Sequence, residues 1–123
     1  MDPVAKVMVQ IVSGPEHATR AALGFLVAQG ALDDGHDVTV FLAADGVQWV
    51  NRPLVEATAG LGGGKLSENL DALKSGGASF FASKLSLGVR GISEEKATDL
   101  GAEMGTPSKL VQIALESDTT LVY

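Results

Sequence analysis

The chain has 123 residues and a net charge of −6, with 46% hydrophobic and 20% charged residues. This length and composition predict one globular domain with a buried core, since a disordered chain carries fewer apolar side chains. The absence of cysteine excludes disulfides, thiolate nucleophiles and zinc–thiolate sites. The acidic balance, without any run of basic residues, argues against nucleic-acid binding.

Membrane insertion and secretion are not expected. No apolar run approaches the ~18 residues that a membrane-spanning helix needs. The first residues, Met1-Asp2-Pro3, do not begin the basic and then apolar regions of a secretory signal. We therefore expect a cytoplasmic protein.

The first third of the chain alternates strand and helix. Val4–Val12 is apolar on both faces, which predicts a central strand of a covered parallel sheet. Glu16–Asp34 has alanine, leucine and phenylalanine at helical spacing, and its broad apolar face predicts a cover beyond its own sheet. Asp37–Ala44 predicts the second strand. This order indicates a crossover between parallel strands.

The middle third is less regular. A short helix is predicted over Val47–Val50, and Pro53 is expected to limit its continuation. The glycine-rich segment Ala57–Leu66 is interpreted as a mobile loop, and Ser67 is predicted to cap the helix that follows. Ala78–Ser83 predicts the third strand.

The last third continues the alternation. Ser93 is predicted to begin a helix with acidic residues in its first turn. Ala102–Met104 predicts a brief strand, and Thr106-Pro107 is a strong start signal for another helix. Thr119–Tyr123 predicts the final strand. The whole chain therefore predicts a single α/β domain with a mainly parallel sheet of about five strands.

Known phosphate-binding and catalytic motifs do not fit this sequence. Gly60–Ser67 departs from a Walker loop at Ala59 and Leu66, and from the dinucleotide pattern at Lys65. A Gly-x-Ser-x-Gly nucleophile elbow does not occur. Ser83 has no identifiable base, so a capping role at the strand end is favoured over a nucleophile.

The remaining side chains with possible chemistry are few. His36 is interpreted as a turn residue, whereas His17 either faces a site or lies on the surface at a helix start. The two histidines and scattered carboxylates do not suggest a metal site. Trp49 and Arg52 fit a local core role or contact with a neighbouring chain equally well.

The carboxyl ends of the strands are the best place for a ligand. In open parallel sheets, ligands bind beyond these ends, and Arg90 is available there to hold an anion. The predicted pocket residues are Ser13, Gly14, His17, Asp45, Ser83, Lys84, Ser86 and Arg90.

Lys6–Val47 resembles the opening of DsrE/DsrF-like proteins: a strand, an alanine-rich helix and a second strand followed by Asp-Gly-Val. The turn Arg90-Gly91-Ile92 and the closing Thr119–Tyr123 fit the same family. The resemblance extends over nearly all of residues 1–123, as a single DsrE/DsrF-like domain. It implies a single three-layer α/β/α domain with a sheet related to flavodoxin-like folds, and a homotrimer or homohexamer.

The resemblance also bears on chemistry. Some family members carry persulfide sulfur on a cysteine that ends the third strand, in patterns such as Cys-x-x-Ser-x-x-x-Arg-Gly. On this chain Ser86, Arg90 and Gly91 match that pattern, and Ser83 stands at the cysteine position. A serine cannot hold a persulfide, and its hydroxyl is far less acidic and nucleophilic than a thiol.

Three functions stay open. The favoured one is a non-catalytic, oligomeric DsrE-like protein that binds a small anionic ligand or a protein partner at the strand ends, with no cofactor and no metal. The second is a thiol-independent accessory protein of sulfur transfer, in which Ser13, Ser83, Ser86 and Arg90 position sulfur delivered by a partner. The third is a nucleotide or flavin binder, suggested by the sheet type alone.

Overall fold

The structure is a computed structural model that describes residues 4–123, so the expectation about the first three residues lies outside its range. The strands are β1 (Lys6–Ile11), β2 (Asp37–Leu42), β3 (Ala59–Gly60), β4 (Gly64–Lys65), β5 (Ser79–Ser83), β6 (Ala102–Gly105) and β7 (Thr119–Val122). The helices are α1 (Ala18–Asp33), α2 (Arg52–Glu56), α3 (Leu66–Ser75), α4 (Lys84–Val89), α5 (Glu94–Leu100) and α6 (Pro107–Glu116). Short 3-10 turns occupy Pro15–His17 and Ala44–Val50.

The main sheet has five strands in the order β6-β5-β2-β1-β7. Every neighbouring pair is parallel, and the register places Val9 of β1 between Val40 of β2 and Leu121 of β7. The predicted parallel sheet of about five strands is therefore confirmed. The final strand, β7, lies at an outer edge beside the first strand of the chain.

Helices cover both faces of this sheet, as the α/β/α prediction requires. Alternate residues of β1, such as Val9 and Ile11, pack with Phe25 of α1 in the larger core cluster. Met8 points to the opposite face, where it packs in a smaller cluster with Phe41 and Ile113 of α6. The two clusters arise because successive side chains of a strand point to opposite faces.

Helix α1 has more cover than its own sheet, as its wide apolar face predicted. It packs against α3 and against the β3–β4 hairpin. The hairpin approaches so closely that a Cβ on Gly60 would lie 2.4 Å from the Cβ of Ala22. Leu23 and Leu26 remain 47% and 41% exposed, so the chain's own elements leave part of α1 uncovered.

Several local predictions were wrong. The segment 57–66, interpreted as a loop, contains the antiparallel β3–β4 hairpin. Helix α3 begins at Leu66 with Lys65 at the cap position, so Ser67 lies inside the helix and does not cap it. The short helix predicted over Val47–Val50 is present as part of a 3-10 turn that ends at Val50, before Pro53, as expected. The prediction missed that Pro53 lies in the first turn of a further helix, α2, where its missing N–H costs nothing. Helix α4 was not predicted.

The two residues with open roles near Pro53 are now placed. Trp49 is fully buried in the larger core cluster, which confirms the local core role. Arg52 is on the surface, where it forms ion pairs with Asp71 and Glu56. Within residues 4–123, no helix combines the length and the apolar character that crossing a membrane would require.

Candidate functional site

The carboxyl ends of β1, β2 and β5 meet at one edge of the sheet. Ile11 pairs with Leu42, and Leu42 pairs with Ala82, so the three strands end side by side. The chain therefore brings the segments that follow these strands together. These segments are the ones to which the sequence assigned a pocket.

Two glycines allow these segments to approach each other closely. A Cβ on Gly46 would lie 2.0 Å from the carbonyl oxygen of Ile11, and one on Gly14 would lie 2.6 Å from that of Asp45. Both separations are far inside van der Waals contact, and the atoms that would be struck belong to backbone. The lack of a side chain at Gly14 and Gly46 thus lets the 3-10 turn after β2 pack directly against the segment after β1.

A second set of contacts joins α4 to the same turn. The Ser83 Oγ accepts a hydrogen bond from the Ser86 N–H at 3.1 Å, so Ser83 caps α4. The Ser86 Oγ in turn accepts from the Ala44 N–H at 2.9 Å. Ala44 has a φ of 50°, an uncommon value for a residue with a side chain. The capping role predicted for Ser83 is confirmed, although the element that it caps is a helix absent from the prediction.

Arg90 is held in place by the same segments. Its Nε and Nη2 donate to Asp45 Oδ1 at 3.2 and 2.9 Å, and its Nη1 donates to the Ser86 carbonyl at 3.1 Å. The Arg90 side chain is 28% exposed and that of Asp45 is 46% exposed. An ion pair this open to solvent stabilises the fold little, so its main effect is to orient the guanidinium.

These contacts form one wall of an open cavity of about 410 Å³. The other walls come from the 3-10 turn after β2, from α2 and from the start of α5. The lining residues are Asp45, Gln48, Asn51, Leu54, Arg90, Ile92 and Lys96. A few charged and amide groups converging beside apolar side chains are typical of small-molecule sites.

The predicted pocket residues take different places around this cavity. Asp45 and Arg90 line it, and Ser83 and Ser86 support it through the hydrogen bonds described above. Ser13 and Gly14 are buried behind the turn, where the Ser13 carbonyl accepts from Trp49 Nε1 at 2.8 Å. Their part in ligand binding stays a prediction.

The two remaining predicted residues lie outside this group. His17 and Lys84 are exposed, and neither is among the residues that line the cavity. His17 ends the 3-10 turn that precedes α1.

Sequence reasoning missed the polar residues that complete the cavity. Gln48 follows Asp45 by three residues, which is one turn of a 3-10 helix, so the predicted short helix could have indicated it. Asn51 and Lys96 gave no such signal. A lysine in the first turns of a surface helix such as α5 ordinarily faces solvent, and only the tertiary structure places Lys96 in the same cavity lining as Arg90.

Comparison with known proteins supports the fold. The sequence model of the DsrE/DsrF-like family matches residues 5–123. Among solved structures, the chain is similar to the ychN protein from E. coli, with a TM-score of 0.75 and 21% identity over 98% of this chain and 100% of that one. It is also similar to BT1422, a conserved protein of unknown function from Bacteroides thetaiotaomicron. That likeness has a TM-score of 0.71 and 12% identity, over 97% of this chain and 95% of the other.

These structural likenesses concern the fold alone, because the sequence identities are low. No curated protein matches the chain significantly. The family match, in contrast, extends over nearly the whole chain and confirms the resemblance seen in the sequence. The chain belongs to the DsrE/DsrF-like family.

Proposed function

We propose that this protein is a non-catalytic, homo-oligomeric DsrE-like protein that binds a small anionic ligand in the cavity beside Asp45 and Arg90. The observation that carries the proposal is the fixed guanidinium of Arg90 at the cavity wall, with Lys96 in the same lining. A side chain held by three hydrogen bonds loses little further entropy when a ligand binds.

The charges of the lining favour an anion. Arg90 and Lys96 are cationic and Asp45 is anionic, so the cavity has a positive balance in a protein whose net charge is −6. A guanidinium has five N–H donors, and Arg90 uses three of them on Asp45 and Ser86. The other two are left for a carboxylate, phosphate or sulfur oxyanion.

The surroundings of the serines favour binding over catalysis. Within residues 4–123, no histidine or carboxylate is hydrogen-bonded to the hydroxyl of Ser83 or Ser86. A serine nucleophile needs an adjacent base within hydrogen-bond reach. Both hydroxyl oxygens instead accept backbone N–H groups, which is a structural role.

Self-association is supported by exposed apolar surface on α1 and β7. Leu23 and Leu26 of α1 are about half exposed, and Val122 of β7 is 57% exposed at the sheet edge. An open edge strand with apolar neighbours is a template for pairing with a second chain. Light scattering after size exclusion should give a trimer or a larger closed assembly, and a monomer at all concentrations would contradict this part of the proposal.

The anion site can be tested with inorganic probes. Thiosulfate, sulfate and phosphate are titrated separately into the protein, and binding is followed by calorimetry and by amide chemical shifts. We expect saturable shifts around Asp45 and Arg90, and an affinity at least tenfold weaker in Arg90→Gln. Lys65→Gln, on the exposed β3–β4 hairpin, is the control with the same loss of charge. Equal binding by both variants would refute the site.

Family membership supports a second candidate, a thiol-independent accessory role in sulfur transfer. Ser83 occupies the position of the family cysteine and lies two hydrogen bonds from Arg90, through Ser86. Ser83→Cys tests this role with inorganic polysulfide, whose terminal sulfane sulfur passes to the new thiolate and leaves a polysulfide one sulfur shorter. A persulfide adduct by mass spectrometry is the expected result, with wild type as the control, and an unmodified Cys variant would argue against it.

A further inference from the structure

A second cavity, of about 230 Å³, lies next to the anion site on the other side of Lys96. Lys96 belongs to both linings, and α5 continues into the second cavity with Asp99 and Leu100. The full lining consists of Trp49, Val50, Arg52, Leu70, Lys74, Lys96, Asp99 and Leu100. Lys96 thus contributes to two adjacent concave surfaces.

The second cavity has an apolar floor formed by Val50 and Leu100, which are 5% and 8% exposed. Trp49 and Leu70 lie directly beneath this floor, at 0% and 1% exposed. These side chains are held by the larger core cluster, so the floor is preformed. A preformed apolar surface of this kind favours a hydrocarbon or aromatic group over an inorganic ion.

The rim of the two cavities is unusually basic for this protein. Of the nine lysines and arginines in the chain, four line the two cavities, whereas only two of the fifteen acidic residues do. Arg52 is already bound to Asp71 at 2.7 Å and to Glu56 at 3.0 Å. Within residues 4–123, Lys74 and Lys96 form no ion pair, so both ammonium groups can bind a ligand.

We propose that the two cavities form one site for an amphipathic organic anion. The anionic head binds between Arg90 and Lys96, and the apolar body lies against Val50 and Leu100, with Lys74 at the rim. The proposal rests on the anion site proposed above for the head, and adds the apolar body as the feature that selects the ligand. Lys74 and Lys96, which form no ion pair within residues 4–123, attract such an anion to the site.

Straight-chain carboxylates test this assignment, because only the length of their apolar body varies. Butanoate, hexanoate and octanoate are titrated into the protein below their micellar concentrations, and affinity is measured by amide chemical shifts. Each added methylene should strengthen binding by roughly fourfold until the apolar floor is covered. The shifted amides should extend from Arg90 to Leu100 as the chain lengthens.

Three variants separate the head from the body. Lys96→Met should weaken the whole series at least tenfold without changing its dependence on length. Leu100→Phe, which fills the second cavity, should flatten that dependence while leaving butanoate unchanged. Lys65→Met, on the β3–β4 hairpin, should leave the series as in wild type.

The possible results are distinct. An affinity that does not depend on chain length in the wild-type protein would overturn the inference, whether or not any variant folds. If thiosulfate still binds in an Arg90-dependent way in that case, the proposed function stands without the second cavity. A length dependence unaffected by both Lys96→Met and Leu100→Phe would place the binding elsewhere and also overturn the inference. A length dependence flattened by Leu100→Phe, with no inorganic anion bound, would support the second cavity and contradict the anion site.

Discussion

Gly46→Ala is the sharpest test of how the site is built. Gly46 does not have a positive φ, so alanine meets no backbone penalty there, and the cost is steric alone. The added Cβ would lie 2.0 Å from the Ile11 carbonyl oxygen and 2.8 Å from its carbonyl carbon. That oxygen also accepts the Ala43 N–H at 3.1 Å. Relief of the clash must therefore move the turn away from β1 and strain this hydrogen bond.

Overpacking of a tight interior typically costs about 1–3 kcal/mol, and a rigid backbone neighbour places the cost of Gly46→Ala at about 2 kcal/mol or more. With a urea dependence of about 2 kcal/mol per molar, a loss of about 2 kcal/mol lowers the unfolding midpoint by about 1 M. The melting temperature should fall by about 8 °C, at roughly 4 °C per kcal/mol for a domain of this size. Anion affinity should fall too, because Asp45 and Gln48 flank the displaced position.

Gly30→Ala is the matched control. Gly30 lies inside α1, and a Cβ there would have no atom within 4 Å. The same substitution should therefore stabilise the protein by about 0.5–1 kcal/mol, since alanine has the higher helix propensity. Opposite signs for the two variants are the expected result. An unchanged urea midpoint in Gly46→Ala would refute the close approach of the two strand ends.

Three further predictions concern neighbouring contacts. Trp49→Phe should lower the free energy of unfolding, measured with urea, by about 1–3 kcal/mol, because it leaves the buried Ser13 carbonyl without its indole donor. Ser83→Ala should lower the free energy of unfolding by about 1 kcal/mol through loss of the α4 cap. A melting temperature equal to that of wild type, measured by circular dichroism, would contradict this. The Arg52 guanidinium lowers the pKa of Asp71 below its ordinary 3.8, chiefly by hydrogen bonding, so Asp71 stabilises the folded state above that pH. Asp71→Asn should thus lower the melting temperature at pH 7. The difference in melting temperature from wild type should disappear as the pH falls through the lowered folded-state pKa of Asp71. A difference that persists at pH 2 would contradict this assignment.

Most of the fold could be predicted from the sequence because the patterns that indicate its strands and helices are local and periodic. β-Branched runs marked β1 and β2, and Thr106-Pro107 marked the start of α6, where the Thr106 Oγ1 accepts the Lys109 N–H as a cap should. The errors lie in segments whose secondary structure depends on tertiary contacts. Gly60–Gly64 forms a hairpin because it packs on Ala22 of α1, and glycines alone do not indicate such a partner.

The candidate site was predictable only in part, for the same physical reason. Asp45 and Arg90 follow strands or belong to a motif, so the rule that ligands bind at strand ends selects them. Lys96 and Asn51 come from elements that reach the cavity by packing, and no periodicity distinguishes them from solvent-facing residues. The sequence also did not indicate that Asp45 pairs with Arg90. Because this pairing offsets the charge of Arg90, Lys96 is the more available cation.

The hydrogen bonds around Ser83 orient a residue of the proposed anion site without a thiol. Ser86 makes three of these contacts: its hydroxyl accepts from the Ala44 N–H, its carbonyl accepts from Arg90, and its N–H donates to Ser83. None of these contacts needs sulfur, and the Ser83 oxygen is a better hydrogen-bond acceptor than a cysteine sulfur would be. Serine at this position therefore removes the nucleophile and strengthens the cap that helps to orient Arg90. In this chain the same hydrogen bonds hold Arg90 at the wall of the proposed anion site.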